Sequence, residues 1–131
     1  MDTIRIDSAV PTASAITQNS RVGSGWAAGS HLISLFFSFV GAILVAVIVG
    51  KDDRFVRQHA RQAVNLQLNL FAFALVTALL SALTPAFILL LLPLAVAAIA
   101  LPILGAIRAN RGLWRPYPAL IPFLAELPRD A

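Results

Sequence analysis

The sequence predicts an all-α integral membrane protein, a helical bundle of three transmembrane helices followed by a C-terminal interfacial segment. Two observations carry this. The 131-residue chain is 59% hydrophobic and only 12% charged, with a mean hydropathy of +0.83; an average soluble domain carries about 25% charged residues. The few charges also leave two long gaps, Val22 to Gly50 and Gln62 to Ile107. A helix rising about 1.5 Å per residue needs about 20 apolar residues to cross roughly 30 Å of hydrocarbon, so the first gap holds one span and the second holds two.

Residues 1–28 are polar and poor in aromatics, with Pro11-Thr12-Ala13-Ser14-Ala15 at their centre. They are expected to form a disordered tail, retained because the order of segments in a signal peptide is missing. The transmembrane domain is placed at 29–127, with a short C-terminal tail at 128–131. Its first span is predicted over 31–50, capped by Ser30 and stopped at Gly50 before Lys51-Asp52-Asp53. Ser34, Ser38, Ala42 and Ala46 recur every fourth residue in it, a small-residue stripe of the kind that lets membrane helices approach closely.

The second gap must turn once. Ser81-Ala82-Leu83-Thr84-Pro85 is the best place, because proline disfavours helix at the residue before it and suits the first turn of a new helix. Spans two and three are therefore placed at 63–83 and 85–107, the latter kinked by Pro93 and Pro102. Leu113 to Leu127 contains Arg115, Glu126 and several prolines; it reads as an interfacial or re-entrant segment.

Basic residues cluster at Lys51, Arg54, Arg57 and Arg61, and again at Arg108, Arg111 and Arg115. With three spans both clusters share one side, and the positive-inside rule makes that side cytoplasmic in a bacterial inner membrane, with the N-terminus outside and the C-terminus inside. Trp26 then belongs to the outer interface, and Trp114 and Tyr117 to the inner one. The net charge of +4 and isoelectric point near 11.2 are explained by orientation and anionic lipid, and no nucleic-acid partner is expected.

The segment entering span two carries most of the polar chemistry. At 100° per residue Gln58, Gln62, Asn65 and Asn69 fall within an arc of roughly 60°. Amides cannot be left bare against lipid, so the stripe should face a helix, water or a partner. Gln67 lies on the opposite side of the same helix. His31 and His59 stand at opposite ends of the predicted first span, so they should share no site, and neither has the spacing of a zinc ligand set. Zero cysteines remove thiolate chemistry. Spans without ionisable residues argue against a proton-coupled pump, and no phosphate loop, catalytic triad or paired carboxylate appears. No catalytic residue, cofactor or metal is assigned, and no enzymatic activity is expected.

His31-Leu32, Lys51-Asp52-Asp53 with Phe55-Val56, and His59-Ala60-Arg61-Gln62-Ala63-Val64-Asn65-Leu66-Gln67 resemble a family of uncharacterised small prokaryotic membrane proteins similar to the twenty-kilodalton Tic subunit of the chloroplast inner-envelope import apparatus (Tic-20-like). Ala109-Asn110-Arg111-Gly112-Leu113-Trp114-Arg115 and Tyr117-Pro118 resemble the end of that family, although Pro116 interrupts the pattern. The resemblance covers roughly Trp26 to Phe123 and picks out His31, Phe55, His59, Asn65, Gln67, Gly112, Tyr117 and Pro118. It implies a helical membrane fold of three or four spans with no established activity, and by analogy a protein-interaction or translocation-related role. Two functions are therefore weighed. One is a structural or interaction protein presenting the stripe to a second copy or another membrane protein. The other is an oligomeric channel or transporter subunit lined by Asn65, Asn69 and Thr77.

Overall fold

A computed structural model describes residues 13–114 and 121–125, with side chains from residue 21 onward. The fold is all-α: α1 (Ala13–Ile48), α2 (Arg54–Leu83), a 3-10 turn (Pro85–Leu90) and α3 (Leu91–Asn110). Arg21–Ile48, Arg54–Leu83 and Pro85–Asn110 are each long and apolar enough to cross a membrane, and the protein is a membrane protein.

Local chemistry sets the boundaries of α2 and α3. Asp53 caps α2, its carboxylate accepting from Phe55 N at 2.8 Å and Val56 N at 3.1 Å, and so satisfies two of the amides that a helix start leaves open. α2 therefore begins nine residues before the expected start of span two, and the polar stripe is helical from its first turn. Thr84 ends α2 in extended conformation and Pro85 opens the 3-10 turn, at the predicted break. Gly112, at φ +73°, closes α3; Gly112 N reaches Ala109 O at 2.9 Å and Leu113 N reaches Arg108 O at 3.1 Å, a glycine terminator that spends the last free carbonyls.

α1 departs most from expectation. The helix is already formed at Ala13, so residues 13–28, expected in a disordered tail, are helical, and Ser30 lies inside a helix instead of capping one. At Ser38 the backbone takes φ 54° and ψ −147°, a region that costs a non-glycine residue about 1–3 kcal/mol, and the helix doubles back. Ile33 touches Gly41, where a Cβ would lie 3.0 Å from Phe37 Cβ. Ala27 packs in one cluster with Val45, and Trp26 lines a cleft with Ile48 and Val49. In a straight helix Trp26 and Val49 would be roughly 35 Å apart. The small-residue stripe is thus divided between two arms: Ser34 and Ala42 are both buried, the latter against Ala63 and Val64.

The fold-back brings the start of α1 beside the start of α2. A Cβ on Gly23 would lie 2.5 Å from Asp53 Oδ2. Two expectations are corrected by this. Gly23 lies at the same end of the molecule as the Lys51–Arg61 cluster, where an uninterrupted first span would put it at the opposite end, and Trp26 shares that end with Trp114. The reason is the reversal at Ser38, which hydropathy cannot register because both arms are apolar. Gly50 permits the tight return into α2, since a Cβ there would lie 2.9 Å from Arg57 Cα.

Packing is concentrated at this end. Ala27, Val45, Val56, Ala60 and Ala109 form one core cluster, and Ala42, Ala63 and Val64 a second. The buried residues of α3 are Pro102, Gly105, Ala106 and Ala109, all in its second half, and the 3-10 turn buries none.

Candidate functional site

The largest fully buried side chains are polar: His31, His59, Gln58 and Gln62 stand first among them. They sit where the first arm of α1, the start of α2 and the end of α3 converge. His31 Nε2 lies 3.1 Å from His59 Nδ1, and His59 Nε2 lies 2.8 Å from Leu113 O. The expectation that these histidines are separated by a bilayer is therefore corrected; the fold-back of α1 places them on adjacent helices at one level. For the neutral pair the geometry assigns the tautomers. A carbonyl can only accept, so His59 Nε2 carries the proton, and His59 Nδ1 then accepts from His31 Nε2–H. The result is a directed relay, His31 to His59 to the backbone just past α3.

The surroundings fit the pair closely. A Cβ on Gly105 would lie 2.7 Å from His31 Nδ1, so only glycine lets α3 pass the ring. Phe55 stacks at 4.5 Å from the His59 ring, and Trp114 lies 6.0 Å from Phe55. Ser30 and Ser34, both buried, return their hydroxyls to Ala27 O and His31 O at 2.7 Å each. Gln58 and Gln62 are buried beside the pair and engaged with neighbours.

Farther along the same face, Asn65 and Asn69 hold the C-terminal segment. Asn65 Nδ2 donates to Leu124 O at 2.8 Å while Leu124 N donates to Asn65 Oδ1 at 2.6 Å. Asn69 repeats the pattern on Ile121, at 2.8 Å to the carbonyl and 3.1 Å from the amide. Each side-chain amide pairs with both polar groups of one residue's backbone, as a neighbouring β-strand would. Arg61 Nη1 adds a bond to Ala125 O at 3.1 Å. Leu113 thus stands at the level of His59, Ile121 at that of Asn69 and Ala125 at that of Arg61.

Asn65 is 2% and Asn69 4% exposed, and both side-chain amides are taken up by backbone of the C-terminal segment. Thr77 is buried further up α2, its carbonyl accepting from Ser81 Oγ at 2.8 Å. Gln67 is half-buried, away from the stripe. Tyr117 and Pro118 lie outside the described residues. Among the described residues no group of three or more His, Cys, Asp or Glu comes together. Sequence reasoning gave Ser30 a capping role and Ser34 a place in the small-residue stripe, and missed Gly105. Gly105 is the one glycine in the predicted third span, a signal that could have marked a close approach.

No curated protein and no solved structure matches the chain. A family model does match, over residues 23–124: the MamF/MmsF magnetosome magnetite crystal formation protein family. That match overturns the resemblance to the Tic-20-like family; of the residues that suggested it, His31, His59 and Asn65 are those that hydrogen-bond between α1, α2 and the chain that follows α3. The match takes in both arms of α1 from Gly23, all of α2 and α3, and the clamped segment to Leu124, and the chain belongs to the magnetosome magnetite crystal formation family.

Proposed function

We propose that this protein is a structural component of the membrane in which magnetite crystals form, and that it works by scaffolding and contact, without catalysis. One observation supports this above the others: His31, His59, Asn65 and Asn69 inside the bundle hydrogen-bond to the chain itself. Both asparagines of the stripe grip backbone, and the histidine relay ends on a carbonyl. What remains for the outside is an apolar skin, suited to lipid, to a second copy or to another membrane protein. The basic end faces the cytoplasm in this reading, since Arg21, Lys51, Arg54, Arg57, Arg61, Arg108 and Arg111 gather there and Gln62 to Ile107 carries no charge.

The test is complementation in a magnetite-forming bacterium deleted for its own members of the family. The chain is expected to localise to the crystal-bearing membrane and to restore crystal size while iron uptake stays unchanged. The Asn65→Leu, Asn69→Leu double variant should fail to restore it. Absence from that membrane, or rescue that works through raised iron uptake, would refute the scaffold reading.

A further inference from the structure

The two halves of the molecule along its long axis differ in cross-section. The helix begins at Ala13, but alongside α2 each arm of α1 is short: the first runs from Gly23, beside Asp53, to Phe37 over about 21 Å and the second, residues 39–48, over about 15 Å at 1.5 Å per residue, both less than a 30 Å hydrocarbon layer. Both arms lie against the first half of α2 and the second half of α3, as the contacts of Ala27 with Val56 and Ala109 and of Ala42 with Ala63 require. The re-entrant segment 121–125 joins them there, on Arg61, Asn65 and Asn69. Beyond that level, among the described residues, only α2 and α3 continue, joined by the 3-10 turn. Their flanks are bare, with Leu83 80%, Leu89 73% and Leu92 72% exposed. The apex of the α1 hairpin carries exposed Phe36 and Phe37, which suits the middle of a bilayer.

We infer that α1 is a re-entrant hairpin confined to the leaflet at the basic end, and that the protein is thereby a wedge that favours membrane curved convex on that side. Four helical rods and a loop displace lipid in one leaflet, and two rods displace it in the other. The mismatch in area is relieved when the crowded leaflet is the outer one of a curved sheet. This rests on shape alone and is independent of the scaffold role in crystal formation. A straight α1 is the competing arrangement. It would keep every peptide hydrogen bond inside one helix, and would give up the His31–His59 bond, the Gly41–Ile33 contact and the Gly23–Asp53 approach.

The chain has no cysteine, so single thiols can report on it. In full-length protein reconstituted into vesicles, Gly25→Cys and Thr84→Cys should be labelled by a membrane-impermeant maleimide from opposite sides; labelling from the same side overturns the hairpin. For curvature, molecules labelled with a fluorescent maleimide at outward-facing Gly25→Cys are followed into tubes pulled from giant vesicles of phosphatidylcholine and phosphatidylglycerol. Several-fold enrichment on the tube is expected, and several-fold depletion for molecules labelled at outward-facing Thr84→Cys. Equal density on tube and vesicle overturns the wedge. Gly41→Leu, which drives the arms apart, should abolish the sorting. Should that variant not fold, Ser38→Gly, which relieves the left-handed backbone, is expected to sort at least as well as the parent; loss of sorting in it counts equally against the proposal.

Discussion

The basic end and the opposite end of this molecule are built on reversed rules. At the basic end the interior is polar: His31, His59 and Gln58 have no exposed surface, and apolar contacts are made by small residues such as Ala27, Ala60 and Ala109. At the opposite end, around Thr84 and Pro85, large apolar side chains point outward and almost nothing is buried. In water the second end would be untenable. In a bilayer lipid tails are as apolar as leucine, so burying leucine against leucine gains little, and helices associate through close packing of small residues and through hydrogen bonds that have no alternative partner in hydrocarbon. Cohesion therefore follows the polar groups, and the molecule is held together at one end.

Substitutions can break or sharpen that contrast. The largest effect is expected at Gly105, where any side chain enters the His31 ring; Gly105→Leu should destabilise the bundle by about 3 kcal/mol or prevent its assembly, read as loss of cooperative thermal unfolding in detergent by circular dichroism. Next is Asn65→Leu. It removes two hydrogen bonds and strands both backbone groups of Leu124, which should cost about 2 kcal/mol and expose the chain after residue 114 to limited proteolysis, with α2 and α3 intact. His59→Phe keeps the ring beside Phe55 and loses both bonds of the relay; a loss of about 1–2 kcal/mol is expected, and the coupling with His31→Phe in a double-mutant cycle should be close to the value of the shared bond. Asp53→Ala removes the cap of α2 for about 1 kcal/mol, whereas Asp53→Asn should be nearly neutral in the same melt. The smallest effect belongs to the other end: Leu89→Ala or Leu92→Ala should change stability by less than about 0.5 kcal/mol. A comparable loss at Leu92 and at Asn65 would dissolve the distinction between the two ends.

Much of this was legible before the structure. The Thr84-Pro85 break follows from the steric rule for the residue before proline, and the face shared by Gln58, Gln62, Asn65 and Asn69 follows from helical periodicity. Their need for a partner follows from the cost of bare amides in hydrocarbon. What stayed hidden was the identity of that partner. Asn65 and Asn69 bind backbone amides and carbonyls of Ile121 and Leu124, and backbone is the same at every residue, so no side-chain pattern could name the segment. The fold-back at Ser38 was hidden for a related reason. Serine is not a residue that announces a left-handed backbone, and the hydropathy of two short antiparallel arms equals that of one long helix.

The sequence by itself determined the class of protein, the turn between α2 and α3, the stripe of α2 and the asymmetry of its basic charge, because these depend on composition and on neighbours within a few turns. Only the tertiary structure decided that His31 meets His59, that Asn65 and Asn69 close on the chain's own C-terminal segment and that Trp26 lies beside Val49. Each of those rests on contacts between segments distant along the chain, and their geometry is set at one residue, Ser38, whose backbone reverses because the packing of His31, Gly41 and Ala42 holds it there.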